Sequence, residues 1–276
     1  MLVSDVRSEP AGHTAAHVNP RLNRLFAADG RCVNVAVDHG FFGELAFLTG
    51  IEQMEQCVAT LVAAGPDAIQ LSPGQARLLQ RLRRPKPSLV LRVDVGNVYG
   101  SEPARHLFNL LVGDAVEQAL RLDAACVCAN LLQIPGEEKV HHQCVQNISA
   151  LRSECDRYGM PLMVEPLAFK AGEHGYNTDR DPDRILPLVR QAVELGADVI
   201  KVDPPQAIED WPRVIGVASP IPVLARGGDR IADDELFERT ASLMASGAAG
   251  VVYGRNVIQH PDPAGMTQRL MRIVHS

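Results

Sequence analysis

The chain has 276 residues, of which 46% are hydrophobic and 22% charged, with a formal net charge of −6. That balance suits a soluble globular chain with one sizeable core, arranged as one large α/β domain or two small ones. The acidic surplus argues against nucleic acid or an anionic membrane as the main partner, and the chain lacks the run of about 18 apolar residues that spans a bilayer.

The first 18 residues read as a polar arm without the apolar core of a secretory leader. Residues 19–276 carry no linker-like break in composition and are expected to form one domain. Eight β-like runs follow in chain order: Val33 to Val37, Ala68 to Leu71, Leu89 to Asp94, Ala125 to Asn130, Pro161 to Glu165, Asp198 to Val202, Ile221 to Ala225 and Ala249 to Tyr253. Several are apolar throughout, as parallel strands covered on both faces require. Helical spacing lies between them, as in Met54-Cys57-Val58-Leu61-Val62 and Leu186-Val189-Val193. Glycines that stop a helix precede later strands at Gly65, Gly196 and Gly247. Eight βα units in this length predict a single (β/α)8 TIM barrel with a short N-terminal extension. A doubly wound sheet is the alternative, but no GxGxxG follows an early strand.

A barrel places chemistry at the C-terminal ends of its strands. Strand one closes with Val37-Asp38-His39-Gly40, a polar cluster in which Asp38 either serves the site or caps the next loop. Strand three carries Arg92 and Asp94 on one face, placed to pair inside the barrel or to meet substrate, and leads to Tyr99. Strand four ends at Asn130, a hydrogen-bonding candidate, and strand five at Glu165. Strand six carries Lys201, one of four lysines in the chain (Lys86, Lys139, Lys170, Lys201) and alone among them in a hydrophobic β run. Desolvation disfavours an ammonium ion, which is how a buried lysine becomes a nucleophile at neutral pH. The plainer reading of Lys201 is a strand-end ion pair with Asp198, Asp203 or Glu165. A neighbouring carboxylate such as Glu165 also offers a proton shuttle.

Strand seven runs into Ala225-Arg226-Gly227-Gly228-Asp229 and strand eight into Gly254-Arg255-Asn256. Glycine turns before helix starts at both positions offer backbone N–H groups to a phosphate, with Arg255 adding a charge-assisted contact. A lysine beside a phosphate site points to Schiff-base chemistry, in which the substrate carbonyl becomes an electron sink and no metal or cofactor is required. The six cysteines, Cys32, Cys57, Cys126, Cys128, Cys144 and Cys155, form no CxxC pair. Together with His141 and His142 they match no common zinc template and read as reduced thiols of a cytoplasmic protein.

The motifs Val37-Asp38-His39-Gly40, Leu195 through Lys201, Pro222-Val223-Leu224 with Gly227-Gly228, and Ser246 through Gln259 appear in order along most of the chain. In these the chain resembles the archaeal-type class I fructose-bisphosphate aldolases and the wider group that includes deoxyribose-phosphate-type aldolases. The resemblance implies that Lys201 is the Schiff-base lysine, that Gly227, Gly228, Gly254 and Arg255 bind phosphate, and that Asp38 is the family's acidic residue after strand one. It also implies a homo-oligomer. Where those aldolases present a strand-five tyrosine as acid/base, this chain has Leu167. Glu165 is the first replacement and Asp38 the second, with Lys170 and Tyr99 also open. Arg226 stands where a small residue is usual, which suggests a second anionic group on the substrate.

Val37 through Phe42 and Gln70 through Gln75 further resemble a bacterial branch tied to inositol breakdown. That branch implies 5-dehydro-2-deoxy-6-phosphogluconate as substrate, cleaved to dihydroxyacetone phosphate and malonate semialdehyde. Two other functions fit the same cradle: acyl transfer between a phosphorylated ketone and a thiol, and non-catalytic sugar-phosphate binding by a regulator.

Overall fold

The computed structural model describes residues 19–83, 85–100 and 104–276; the N-terminal arm expected over 1–18 lies outside them. Eight strands form the central sheet: β1 (Cys32–Ala36), β2 (Ala68–Leu71), β3 (Ser88–Arg92), β4 (Ala124–Gln133), β5 (Leu162–Ala171), β6 (Val199–Val202), β7 (Val223–Arg226) and β8 (Gly250–Tyr253). Each pairs in parallel with its successor, and β1 pairs with β8 with Cys32 opposite Gly250, so the sheet closes on itself. The helices are α1 (Met54–Ala64), α2 (Pro73–Gln80), α3 (Ala115–Arg121), α4 (Glu138–Tyr158), α5 (Pro182–Glu194), α6 (Trp211–Ala218), α7 (Asp233–Ala245), the short α8 (Arg255–Ile258) and α9 (Pro263–Val274). This is the (β/α)8 barrel that the repeating pattern predicted. Among the described residues no helix is long and apolar enough to cross a membrane.

Side-chain alternation divides each strand between two cores. Val33 and Val35 of β1 join a large outer core with Leu61 of α1 and Leu270 of α9. Cys32 and Ala36 join a smaller inner core with Val90, Cys126, Cys128, Met163, Leu224 and Val252. Leu22 and Leu25, in and just after the turn Pro20–Arg24, pack into this inner group. The turn lies under the N-terminal ends of the strands, where Ser88 Oγ donates to the Arg24 carbonyl and Arg21 to that of Ala124. The floor of the barrel is thus apolar, which leaves its polar residues for the other end.

Two strands are longer than their sequence suggests. Asn130 and Glu165 read as strand ends, yet β4 continues to Gln133 and β5 to Ala171. The two strands pair with each other as far as Gln133 opposite Ala168, and β5 then turns back against Tyr176–Thr178. The inward polar side chains and Pro166 imitate a strand end, because proline withholds a ladder hydrogen bond. Strand three is shorter: Asp94–Gly96 is a separate strand, paired antiparallel with Asn109–Leu111.

Barrel closure depends on Gly250, whose φ is +142° and whose absent Cβ would lie 1.9 Å from the Cys32 carbonyl oxygen. Gly250→Ala is therefore expected to cost more than about 2 kcal/mol in urea unfolding, from backbone strain and overpacking together.

Candidate active site

The C-terminal mouth of the barrel holds a cavity lined by Asp38, His39, Arg92, Glu165, Lys201, Arg226, Gly227, Gly228, Gly254 and Arg255. The loop after β1 adds Phe42 and Phe47, and the loop after β3 adds Tyr99. Eleven residues singled out in sequence, Tyr99 among them, thus meet at one place. Asn130 does not line the cavity; its backbone N–H donates to Asp94 at 2.7 Å while its buried amide has no partner among the described residues.

Lys201 is the third residue of β6 and is 4% exposed. Its Nζ lies 2.8 Å from Glu165 Oε2. The other two acids weighed as partners are engaged elsewhere: Asp198 holds Arg152 and the Leu162 N–H, and Asp203 holds Arg226. Parallel pairing of β5 with β6 explains the choice, since Val164 lies opposite Ile200 and the next residue of each strand turns inward.

Glu165 is shared by three cations. Oε2 also accepts from Arg92 Nη2, and Oε1 lies 2.9 Å from Arg226 Nε. Burial alone would raise its pKa, but Lys201, Arg92 and Arg226 outweigh that and hold the carboxyl far below the usual range. Arg92 in turn joins Asp38 at 2.9 Å and Asp94 at 3.1 Å. Gln70 donates to Asp38 at 2.7 Å, and Asn109 to Asp94 at 2.9 Å. Asp38 is buried, and the charges of Arg92 and Lys201 keep it below its ordinary value. Arg226 is closed by both oxygens of Asp203 at 3.0 Å. Asp203 was weighed in sequence only as a partner of Lys201, and the parts played by Gln70, inside β2, and Asn109, in the strand Asn109–Leu111, had no pattern to mark them.

The opposite wall is made of glycine. A Cβ at Gly227 would lie 2.8 Å from the Tyr253 ring, and one at Gly254 would lie 2.2 Å from His39 Cε1. Gly228 takes a positive φ of +66°. Asn256 braces the β7 loop, its amide donating to the Asp229 carbonyl at 3.1 Å and accepting from Ile231 N–H at 3.0 Å. The helix after β7 begins only at Asp233, so backbone of the loop itself, rather than a helix start, faces the cavity there. Arg255 pairs with the exposed Asp229 at 2.6 Å and lies over the Phe47 ring.

The strand-five position of the expected tyrosine, Leu167, is buried outside the cavity. Lys170 is exposed and 3.9 Å from Asp179. Of the four tyrosines in the chain, Tyr99 alone lines the cavity, held edge-on by Phe42 with ring centroids 4.9 Å apart.

A closed barrel with a buried lysine facing a glycine cradle is the architecture of a barrel aldolase. Residues 32–260 match the DeoC/LacD family aldolases, and the chain belongs to that family. It is 32% identical to an uncharacterized aldolase of Saccharolobus solfataricus, over 92% of this chain and 93% of that one. It is 31% identical to the 3-hydroxy-5-phosphonooxypentane-2,4-dione thiolase of Klebsiella pneumoniae, over 92% of this chain and 80% of the relative. Among solved structures, it superposes with a TM-score of 0.77 and 22% identity on an archaeal fructose-1,6-bisphosphate aldolase whose catalytic lysine carries the carbinolamine intermediate, covering 93% and 98% of the two chains. That likeness is one of fold.

Two measurements test the geometry. Glu165→Ala leaves the buried Arg92 and Lys201 and the half-buried Arg226 without their shared anion and is expected to cost about 3–5 kcal/mol in chemical denaturation. His39 is buried and close to Arg255, Lys201 and Arg226, which together outweigh the pull of Asp38 and lower its pKa to about 4. Between pH 6.5 and 4 the unfolded chain binds a proton that the native imidazole refuses, so stability falls as pH drops through that window. His39→Gln should remove up to about 1.4 kcal/mol per pH unit of that slope, read from urea unfolding at each pH.

Proposed function

We propose that the chain is a class I aldolase that cleaves a phosphorylated ketose through a Schiff base on Lys201, releasing dihydroxyacetone phosphate and a small aldehyde. The observation that carries this reading is the buried Lys201 amine held by Glu165 at 2.8 Å on one side of a cavity whose other side is Gly227, Gly228, Gly254 and Arg255. The glycines let a phosphate approach backbone N–H groups, and Arg255 exchanges the exposed Asp229 for it. The substrate of the Klebsiella relative also carries a phosphonooxy group.

With the phosphate anchored, the Lys201 amine attacks the ketone carbon, and loss of water gives an iminium ion. A carboxylate takes the proton from the hydroxyl on the carbon across the bond to be cleaved. The electrons of that carbon–carbon bond pass to the iminium, the aldehyde departs, and an enamine remains. Protonation at carbon and hydrolysis then free the ketone phosphate and restore the amine. Asp38 suits the base role better than Glu165. Both oxygens of Glu165 are held by cations, whereas Gln70 and Arg92 both donate to Oδ2 of Asp38. The six cysteines are free thiols, which suits a reducing compartment such as the cytoplasm.

Borohydride reduction in the presence of dihydroxyacetone phosphate is expected to add the reduced adduct to Lys201 alone, found by peptide mass mapping. Lys201→Ala should lose at least about 10⁴-fold in cleavage rate. Turnover of a ketose phosphate without labelling of Lys201 would overturn the mechanism. Dependence of turnover on coenzyme A would move the assignment to the acyl transfer named for the Klebsiella relative.

A further inference from the structure

Arg226 at the mouth suggests, from sequence, a second anionic group on the substrate; the charges around it argue the reverse. The cavity is lined by four cationic side chains, Arg92, Lys201, Arg226 and Arg255. The first three share four carboxylates, those of Asp38, Asp94, Glu165 and Asp203. All four carboxylates are buried, so each contact is shielded from solvent and not readily exchanged. Arg255 differs. Its partner Asp229 is 85% exposed, and such a pair is weak in water and gives way to a phosphate. One exchangeable cation therefore serves one phosphate. The rings of Phe42, Phe47 and Tyr99, packed on one another, also line the mouth.

We propose that Asp203 sets the substrate class by keeping Arg226 closed, so that the aldehyde half of the substrate is uncharged and the ketose carries a single phosphate. This rests on the Schiff-base reading above. Asp203 touches Arg226 and not the reacting atoms; it is a specificity-determining residue. An anionic aldehyde brought into this half of the mouth meets a cluster with more carboxylates than cations, and like-charge juxtaposition disfavours it. Loss of the Asp203 charge frees Arg226 Nη1 to receive such a group, while Glu165 still holds Nε at 2.9 Å.

The test runs the reaction in the direction of synthesis, with dihydroxyacetone phosphate as donor and three acceptors: glyceraldehyde, glyceraldehyde 3-phosphate and malonate semialdehyde. The wild type is expected to favour glyceraldehyde by at least about tenfold in kcat/KM over both anionic aldehydes. Asp203→Asn should shrink that preference by about tenfold or more, chiefly through KM for the anionic acceptor, and Asp203→Glu should restore it. A wild-type preference for either anionic aldehyde overturns the proposal, as does an unchanged ratio in a folded Asp203→Asn protein. If that variant does not fold, the wild-type ratio decides. Borohydride trapping of the donor alone separates the two layers: without a Lys201 adduct the Schiff-base reading fails and takes this inference with it. With the adduct formed and anionic acceptors preferred, only this inference fails.

Discussion

Glu165 makes the mouth of this barrel possible. Arg92, Lys201 and Arg226 arrive from β3, β6 and β7, and without an anion between them the buried Arg92 and Lys201 and the half-buried Arg226 would repel one another. One carboxylate, on a strand adjoining that of Lys201, divides its two oxygens among all three. The arrangement fixes where the lysine amine points, and it also fixes what Glu165 can do. An acid stabilised so strongly as an ion is a poor carrier of protons. Asp38 shares Arg92 but has no hydrogen bond to its other oxygen among the described residues, so in the proposed reaction the same network would divide holding from reacting between two carboxylates.

The mouth has two unlike halves. Around β3, β5 and β6, Arg92, Lys201 and Arg226 share four buried carboxylates. On the β7 and β8 side the wall is backbone, opened by glycines and braced by Asn256. A phosphate suits the second half because N–H groups there carry no counter-ion to displace other than the exposed Asp229.

Most of the fold was legible because each barrel strand is a short apolar run followed by helical periodicity, and glycines mark several of the stops. The limits of β4 and β5 were not, since Asn130, Glu165 and Pro166 look like an ending when read in one dimension. Only the barrel interior explains polar residues in mid-strand. The candidate site was legible wherever a residue lay at a strand end with an unusual type, as at Asp38, Lys201, Gly227 and Arg255. The roles of Asp203, Gln70 and Asn109 were not, because ordinary polar residues gain a role only through the partner that folding brings to them. Arg226 shows the same limit: its charge was visible in sequence, but the two carboxylates that close it were not.

The imidazole of His39 occupies the space that a side chain at Gly254 would need. Two loops at opposite ends of the chain are thereby fitted to each other across the seam where the barrel closes. Neither position can drift alone: a larger residue at 254 demands a smaller one at 39, and a smaller residue at 39 leaves the loop after β8 without its backing. Among relatives the pair should therefore change in concert or not at all, an inherited coupling between the first turn of the barrel and the last.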